Sequence, residues 1–373
     1  MKQQPENRGP LRILFVVPSL HGGGAEFVAR TWMTWLVGAG HSVGVVTTSG
    51  KATDEHLPEG VSRISVAGHR GHLGKARALK GVFGEFRPDV ALSLQAHPNL
   101  LLLTAGLLSR RPNRPAVVIS ERNLVSLGLP GADLAHRVKI GFARRLYRRA
   151  DHVIAISHPV AGELVSGFRV SGSRCTVVAN PAMAKVAGRG RVDRVTGAQD
   201  GIQLVLPCRL VSQKRPELAI RTAAVLAGRG IPTEVVSFGG GPLLGSMLAE
   251  AARLNVPFQD KGWVEDWFGH FGPNSVVLLP SAREGFGNVL VEAAAAGVPS
   301  VAVSGALGVA DAIVPGMTGE LALGAEPEDL ADAVLRASRL KVDGIEGWLE
   351  RFSVDCSGRD LETVLRRTVA GRR

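Results

Sequence analysis

Residues 275–304, SVVLLPSAREGFGNVLVEAAAAGVPSVAVS, join a strand, a glycine-rich bend, a helix and a second strand. The apolar run SVVLLP predicts a buried strand. NVLVEAAAAG predicts a helix that stops at Gly297, because glycine is favoured just past a helix C-terminus, and Pro299 introduces the strand SVAVS. A strand, a crossover helix and a further strand form a βαβ unit, so this stretch predicts a parallel sheet covered by helices and an α/β fold.

The same alternation runs through the rest of the chain, on both sides of one break. The other strand-like runs are LRILFVV, HSVGVVTT, DVALSL, RPAVVIS, ADHVIAIS and CTVV before the break, and IQLVLP and TEVVSFG after it. The break, residues 184–201, is polar and glycine-rich without a sustained period, as expected of a linker. A chain of 373 residues exceeds what one core usually supports, so we expect two Rossmann-like domains joined near residue 190.

Composition favours a soluble cytoplasmic protein. Cys175, Cys208 and Cys356 are widely spaced, with no CxxC pair and no Cys/His cluster, so we expect neither a disulfide framework nor a zinc site. The N-terminus MKQQPENRGPLRILFVV lacks the basic start and apolar core of a signal peptide. The most apolar stretch, VALSLQAHPNLLLLTAGLL, is interrupted by polar residues, so we expect no spanning helix.

The net charge of +11 is concentrated in the N-terminal part of the chain. Residues 1–150 carry 21 Lys and Arg against 9 Asp and Glu, and the remainder carries 23 against 24. A basic half can bind nucleic acid, an anionic membrane surface or an acidic substrate. With 5% aromatic residues and one tyrosine, the chain offers no platform for stacking bases, so we expect no nucleic-acid partner.

The densest basic run, HRVKIGFARRLYRRADHVI, predicts an amphipathic helix near 134–149. Arginines and Lys139 alternate with Val138, Phe142, Leu146 and Tyr147. Two interpretations remain: the apolar stripe packs on a core with the arginines in water, or the helix lies on anionic lipid headgroups.

Ligands of open α/β sheets bind beyond the carboxyl ends of the strands, and three loops there carry suitable residues. In PSLHGGGAE, Gly22, Gly23 and Gly24 precede a helix whose free N–H groups suit a phosphate, although a tight turn without ligand explains three glycines equally well. The loop matches neither a P-loop nor G-x-G-x-x-G, which disfavours an NAD-dependent oxidoreductase. In CRLVSQKRPELAI, Arg209 and Lys214 could hold a diphosphate and stabilise its departure, or be surface cations.

The third loop is the bend quoted at the start. Glu284 lies at the carboxyl end of the predicted strand and Glu292 lies just over one turn into the helix, while Gly285 and Gly287 allow backbone amides to approach a ligand. Carboxylates accept hydrogen bonds from ribose and sugar hydroxyls, so the pair is suited to grip two parts of one ligand. A glycosidase acid and nucleophile pair is disfavoured, because both residues lie in one short βα segment.

The E-x7-E spacing in EGFGNVLVE, with LPS before it and AAAAGVPSVAV after it, resembles the retaining glycosyltransferases of the GT-B fold, family 4. GGGAE, ADHVIAIS, VVANPA, CRLVSQKRPELAI, FGGGPL and KGW follow the order typical of that family. The resemblance implies an α/β fold of two Rossmann-like domains facing across a cleft. It implies an acceptor-binding domain at 1–185, a nucleotide-sugar-binding domain at 186–355, and a C-terminal helix at 356–373 that crosses back to the first domain.

The resemblance also implies residue roles. Arg209 and Lys214 would bind the donor diphosphate, Glu292 the ribose, and Glu284 the donor sugar. The whole implied donor set is Gly23, Gly24, Arg209, Lys214, Trp263, Val264, Glu284, Gly285, Phe286, Gly287 and Glu292. The residues implied to be catalytic are Glu284, Arg209, Lys214 and His97. Trp263 and Val264 would line the nucleobase, or Trp263 is a core or surface side chain. Asn180 would lie by the hinge, or form a turn before proline.

The chain departs from the family pattern in several places. Where many relatives have a VHG-like turn, VVISERN provides an acceptor-side set of Glu121, Arg122 and Asn123, with His97 from the preceding strand end. His97 would orient the donor sugar or acceptor, or be a buried structural histidine. Arg215 replaces a usual glycine, and Asp311 stands where relatives often carry glutamate. These changes bear mainly on the identity of the donor.

The resulting expectation is a retaining hexosyltransferase that moves a sugar from a nucleoside-diphosphate sugar to a hydroxyl. The donor would be UDP-linked, with a hexose or N-acetylhexosamine, and the acceptor a glycan, lipid-linked or small molecule. No cofactor and no metal is expected, since no Asp-x-Asp segment is present. The expected location is cytoplasmic, with an anionic membrane surface as a candidate partner. The alternatives are a nucleotide-sugar 2-epimerase of the same fold and a basic nucleic-acid-binding protein.

Overall fold

The chain folds into two α/β units, each built on one parallel sheet. The computed structural model describes residues 9–50, 56–110, 112–126 and 134–372, and for residues 135 and 136 it describes the backbone alone. Residues 1–8 of the stretch searched for a signal peptide lie outside these ranges. Unit 1 comprises Met1–Pro181 and Val354–Arg373, and unit 2 comprises Ala182–Ser353. The two predicted parallel-sheet α/β domains are thus confirmed.

Unit 1 contains a seven-stranded parallel sheet. Its strands are β1 Arg12–Val17, β2 Ser42–Thr47, β3 Ser62–Ser65, β4 Val90–Leu94, β5 Ala116–Glu121, β6 His152–Ala155 and β7 Cys175–Val177. Its helices up to β7 are α1 Gly24–Gly38, α2 Gly71–Phe86, α3 Ala96–Leu108, α4 Leu134–Leu146 and α5 His158–Ser166. The strand order is β3-β2-β1-β4-β5-β6-β7, so the direction of winding reverses between β1 and β4. Ligands of open sheets bind at such a reversal.

Unit 2 repeats this plan with six strands and fewer helices. Its strands are β8 Ile202–Leu206, β9 Thr233–Ser237, β10 Phe258–Asp260, β11 Ser275–Leu279, β12 Ser300–Val303 and β13 Gly319–Ala322. Its helices are α6 Glu217–Gly228, α7 Leu244–Leu254, α8 Asn288–Ala295, α9 Pro327–Ser338 and α10 Glu346–Glu350. The order β10-β9-β8-β11-β12-β13 places the reversal between β8 and β11. The predicted second and third ligand loops both leave this point.

The last helix, α11 Val354–Ala370, belongs to the core of unit 1. Leu361 and Leu365 on α11 are fully buried in the cluster that also contains Trp32 of α1. Trp32 Nε1 donates to Ser357 Oγ at 2.8 Å, and Ser357 Oγ donates to the carbonyl of Ala179 at 2.6 Å. Burying each leucine contributes about 1.5–3 kcal/mol, so the packing of α11 is a substantial part of the stability of unit 1.

Candidate functional site

Two loops of unit 2 meet at the carboxyl edge of its sheet. β8 and β11 pair in parallel, with Gln203 beside Ser275 and Val205 beside Val277. The loop after β8 and the loop after β11 therefore leave the sheet side by side. Main-chain and side-chain bonds join them: Ala282 N–H donates to the carbonyl of Gln213 at 2.9 Å, and Gln213 Nε2 donates to the carbonyl of Arg283 at 3.1 Å.

Lys214 and Glu284 form an ion pair where these loops meet. Lys214 Nζ donates to Glu284 Oε1, and Ser281 Oγ donates to the same carboxylate oxygen at 2.6 Å. Both partners are mostly buried. Opposite charges that are shielded from water attract more strongly than exposed ones, so this pair has a defined geometry. The sequence predicted that both residues serve one ligand, and the structure brings them into direct contact.

Arg215 locks the two loops together. Its Nε donates to the carbonyl of Pro280 at 2.8 Å and its Nη2 to the carbonyl of Ser281 at 2.9 Å. Its backbone lies in the left-handed region at φ 46°, where a residue other than glycine is strained. The family's usual glycine suits this conformation without strain. In this chain the two hydrogen bonds offset the strain and position the residues flanking Lys214.

The bend that carries Glu284 is backed by the loop after β12. Glu284 N–H donates to the carbonyl of Ala306 at 3.0 Å. A Cβ on Gly308 would lie 2.3 Å from the carbonyl oxygen of Glu284, so only glycine fits there. Phe286 is buried with its ring centroid 5.4 Å from that of Phe352. Gly287 begins α8 in the left-handed region at φ 100°, and no side chain caps the helix. The amides around Gly285, Phe286 and Gly287 are therefore held rigidly at the start of α8.

Glu292 lies in a separate buried environment on α8. Trp267 Nε1 donates to its Oε2 at 3.3 Å, and Lys185 Nζ lies 3.9 Å from its Oε1. Burial raises the pKa of the Glu292 carboxyl, an effect that the charge of Lys185 and the bond from Trp267 partly oppose. Two long contacts satisfy little of what a carboxylate can accept. Lys185 and Trp267 were not among the predicted residues; the signal for Trp267 was a second tryptophan four residues after Trp263.

The remaining donor-side residues lie nearer the surface. Arg209 is exposed in the loop after β8. Burial raises the pKa of the adjacent Cys208 to about 12, and the charges of Lys214, Glu284 and Arg209 also act on this thiol. Trp263 is 77% exposed and Val264 is half-buried. A cation, an ion pair and an exposed indole thus line this part of unit 2.

In unit 1, the triple-glycine loop opens α1. Gly22, Gly23 and Gly24 are exposed, and Gly22 has φ 114°. Gly23 is the N-cap residue and provides no side-chain cap. The first N–H groups of α1 are thus not capped by a side chain at the carboxyl edge of β1. This geometry can accept an anion.

Glu121 forms a buried network and supports the SERN turn from inside. Tyr147 Oη donates to Glu121 Oε2 at 2.7 Å, and the Arg122 N–H donates to Glu121 Oε1 at 3.0 Å. Asn99 Nδ2 donates to the carbonyl of Ser120 at 2.9 Å and contacts Tyr147 Oη at 3.2 Å. Burial raises the pKa values of both Glu121 and Tyr147. Both oxygens of Glu121 are used by the protein, so Glu121 positions the turn, whereas Arg122 and Asn123, which follow it, are half-buried.

His97 and Gln95 flank the start of α3. His97 is exposed, with its ring centroid 6.1 Å from that of His72. Its surroundings lower its pKa, first by partial desolvation and then through the charges of Lys139, His72 and Lys75. Gln95 was not predicted as a site residue. It occupies φ 76°, ψ 151°, and its Nε2 donates to Glu26 Oε1 at 3.2 Å.

Two further predicted positions lie at loop ends. Asn180 is buried at the end of the first segment of unit 1, directly before Pro181. Asp311 closes a short 3-10 turn that begins at Gly308.

The basic helix α4 exposes apolar side chains. Ile140, Ala143 and the adjoining Tyr147 are buried, as expected of a core-facing stripe. A second row, Leu134, Val138 and Phe142, is exposed by 77%, 49% and 59%. The exposed row lies among arginines, and residues 134–150 contain no Asp or Glu. Within the described residues, no helix has the length and apolarity needed to span a bilayer.

Comparison with known proteins assigns the family. A model of Glycosyltransferase Family 4 matches residues 22–182, and a model of Glycosyl transferases group 1 matches residues 201–339. A D-inositol 3-phosphate glycosyltransferase of Streptomyces scabiei is 33% identical over 209 residues, which are 49% of this chain and 45% of that protein. The chain spans less than half the length of this relative and of two further D-inositol 3-phosphate glycosyltransferases that it matches.

Solved structures agree in fold. The apo form of the lipopolysaccharide outer core galactosyltransferase WaaB gives a TM-score of 0.77 at 19% identity, covering 95% of this chain and 99% of that one. Anabaena HepE in complex with UDP-glucose gives 0.72 at 17% identity, with the same coverage. At these identities the likeness shows the fold alone. The two family models, which together match most of the chain, show that it belongs to glycosyltransferase family 4, and the solved structures show that it has the GT-B fold.

Proposed function

We propose that the protein is a retaining glycosyltransferase that moves a sugar from a nucleoside-diphosphate sugar to an acceptor hydroxyl. The observation that carries the proposal is the contact of Lys214 with Glu284 at the reversal of strand order in unit 2. Such a reversal is where α/β sheets bind ligands, and a cation beside a carboxylate matches a donor with a diphosphate beside a sugar.

In this proposal, unit 2 holds the donor. Arg209 and Lys214 bind the diphosphate, and Glu284 with the amides of Gly285, Phe286 and Gly287 holds the sugar hydroxyls. Lys214 Nζ donates a hydrogen bond to Glu284, so the diphosphate of the sugar donor and Glu284 would both contact this cation. Glu292 accepts from the ribose, and Trp263 with Val264 lines the base. Gly23 and Gly24 at the start of α1 meet the donor phosphates.

The chemical step exchanges one carbon–oxygen bond for another on the same face of the sugar. The bond from the anomeric carbon to the diphosphate oxygen breaks, and the acceptor oxygen bonds to that carbon. The acceptor proton passes to the departing phosphate. Charge grows on the leaving oxygen during this step, so Arg209 and Lys214 stabilise the transition state more than the ground state. The step as proposed uses protein cations and requires no metal or cofactor.

The donor and acceptor classes are part of the proposal. A UDP-linked hexose or N-acetylhexosamine is the proposed donor, supported by a protein of similar fold bound to UDP-glucose. The proposed acceptor is a glycan, lipid-linked or small molecule, bound by unit 1 through Arg122, Asn123 and His97. The relatives include a glycosyltransferase for D-inositol 3-phosphate, which supports a hydroxylated acceptor.

We further propose a cytoplasmic protein that binds the membrane surface through α4. The exposed row Leu134, Val138 and Phe142 can enter the headgroup region, while the surrounding arginines bind anionic lipid. Such a position would bring the enzyme to a lipid-linked acceptor.

One experiment tests the proposed reaction. Donor sugars linked to uridine or guanosine diphosphate are screened by thermal shift, and the best is incubated with deuterated water and candidate acceptors. A transferase releases nucleoside diphosphate and forms a product with the anomeric configuration of the donor. Deuterium at C2 of the sugar, without transfer, would instead identify an epimerase, and an inverted product would exclude the retaining step.

A further inference from the structure

Among the described residues, the half-buried Arg122 has no ionic partner for its guanidinium group. Its Nε and Nη2 are shielded from solvent and donate to no acceptor among the described residues. Its Nη1 makes only a long contact, 3.5 Å, with Ser120 Oγ. Buried arginines are normally paired, since removing a cation from water costs several kcal/mol. An unpaired guanidinium group with two nitrogens shielded from water is therefore unusual.

The surroundings explain how Arg122 is held but not what neutralises it. Its Cζ lies 4.9 Å from the ring centroid of Trp32, a fully buried side chain of α1. Burial lowers the pKa of Arg122 to about 9, although the charges of Glu121 and Glu26 raise it, so the group stays cationic at pH 7. Neither carboxylate comes within ion-pair distance among the described residues: Glu121 accepts from Tyr147, and Glu26 accepts from Gln95.

The position of Arg122 is that of a ligand-binding residue. It directly follows β5, beside β4, at the carboxyl edge of the unit 1 sheet. Gln95 follows β4 at the same edge, in a backbone region that is almost confined to glycine. Strained residues and uncompensated charges both reduce stability and tend to occur together where a ligand binds. Glu121 accepts hydrogen bonds from Tyr147 Oη and from the Arg122 N–H, so the backbone that carries Arg122 is held in place.

We infer that Arg122 binds an oxyanion, a phosphate or carboxylate, on the acceptor. This inference rests on the proposed function and narrows its acceptor to an anionic molecule. The planar guanidinium, with Nε and Nη2 both unused, matches the two oxygens of such a group. The donor diphosphate has separate cations in unit 2, so Arg122 is a specificity-determining residue for the second substrate.

Inorganic phosphate is the probe that tests this assignment. The donor cations are first removed in an Arg209→Ala, Lys214→Ala background, so that phosphate cannot bind there. Phosphate, and acetate in a separate series, is titrated at ionic strength held constant with sodium chloride, and the unfolding temperature is recorded. Arg122→Met is compared with Arg77→Met, an exposed arginine of α2, because any general effect of phosphate on stability acts on both variants.

We expect the background protein and its Arg77→Met version to be stabilised by phosphate with equal affinity. Arg122→Met should weaken that binding by at least about tenfold, the loss that follows from removing a charge-assisted hydrogen bond. Without phosphate, Arg122→Met should unfold at a higher temperature, because an unpaired buried charge is removed. The anion that binds with the higher affinity shows whether the group on the acceptor is a phosphate or a carboxylate.

Equal phosphate responses of Arg122→Met and Arg77→Met would overturn the inference, as would absence of any response in the background protein. An Arg122→Met change in the otherwise unaltered chain should leave nucleoside-diphosphate affinity the same. If that affinity falls, the anion belongs to the donor and the inference is wrong. Failure of the chain to bind any nucleoside diphosphate would instead reject the proposed function, while the phosphate result would stand by itself.

Discussion

Lys214 and Glu284, seventy residues apart in the sequence, form an ion pair through Nζ and Oε1. They come from the loops after β8 and β11, which adjoin only because the strand order reverses there. Arg215 ties the same loops together through two main-chain carbonyls. The pair is thus held in one geometry, which would limit the entropy lost on binding the proposed donor.

Removing either member of this pair should abolish most of the activity. For Glu284→Ala or Lys214→Ala we expect turnover to fall by about two to four orders of magnitude, because in the proposed reaction each residue binds a part of the donor whose charge or position changes during transfer. Lys214→Arg should recover little, since the guanidinium has a different shape. Steady-state kinetics with the donor found by screening measure these effects.

Matched surface changes serve as controls for that prediction. Glu250→Ala removes a carboxylate of α7 that pairs with Arg221 and Arg253, and Lys341→Ala removes an exposed lysine. Both should leave kcat unchanged, because neither residue belongs to the proposed donor or acceptor set. Normal turnover by Glu284→Ala would reject the role assigned to that carboxylate.

Glu292→Gln should stabilise the free protein and weaken its binding of nucleotide. Burial raises the pKa of the Glu292 carboxyl in the folded protein above its ordinary value of 4.5 in the unfolded chain. The contribution of Glu292 to stability is therefore fully present below pH 4.5 and is lost as the pH rises through the folded pKa. The glutamine side chain of Glu292→Gln does not ionise, so the variant does not lose this stability as the pH rises. We therefore expect a higher unfolding temperature than wild type at pH 7, with the difference shrinking toward pH 4, and a lower affinity for nucleoside diphosphate by calorimetry. A variant less stable at pH 7 would show that the carboxylate has a structural role.

Much of the fold could be predicted from the sequence, because most strands are buried on both faces and appear as continuous apolar runs. β4 and β11 are examples, with every residue buried. β3, β10 and β13 were not predicted. Each has three or four residues at a sheet edge, with at least half of its positions partly or fully exposed, so none forms an apolar run.

The site could be predicted in outline only. Strand ends, glycines and charge indicated Lys214 and Glu284, since loops at one sheet edge must meet. Their direct pairing could not be predicted, because it depends on side-chain directions and on local contacts such as that of Ser281 Oγ with Glu284 Oε1. Likewise, the contact of Trp267 with Glu292 depends on a 3-10 turn, and the unpaired state of Arg122 depends on where Glu26 and Glu121 find other partners.

His41 should make the packing of α11 sensitive to acid. The N–H of Leu11 donates to His41 Nδ1 at 3.0 Å, which leaves the ring proton on Nε2, 3.2 Å from Glu362 Oε1. Burial lowers the pKa of His41 despite Glu362. A lowered histidine pKa means that the unfolded chain binds more protons, so stability falls as pH drops below 6.5 toward the folded value.

Hydrogen exchange measures this effect on α11 directly. Between pH 7.5 and 5, protection of the α11 amides should decrease beyond the intrinsic change in exchange rate, and His41→Gln should reduce the pH dependence. His69→Gln, an exposed histidine of unit 1, is the control and should behave as wild type. Equal pH dependence in His41→Gln would place the acid sensitivity elsewhere.

The exposed row of α4 should determine binding to anionic membranes. Flotation with vesicles containing phosphatidylserine should recover the wild-type protein, and neutral vesicles should recover far less. Phe142→Ser and Val138→Ser each remove apolar area that would enter the headgroups, so each should lower recovery several-fold. Leu323→Ser is the matched control, because Leu323 is 91% exposed but follows β13 in unit 2 and is not part of a basic helix. Recovery should fall steeply with salt if the arginines contribute, since exposed charges are screened. Equal recovery on neutral and anionic vesicles, or equal loss in Leu323→Ser, would mean that α4 does not bind lipid and that its arginines serve solubility.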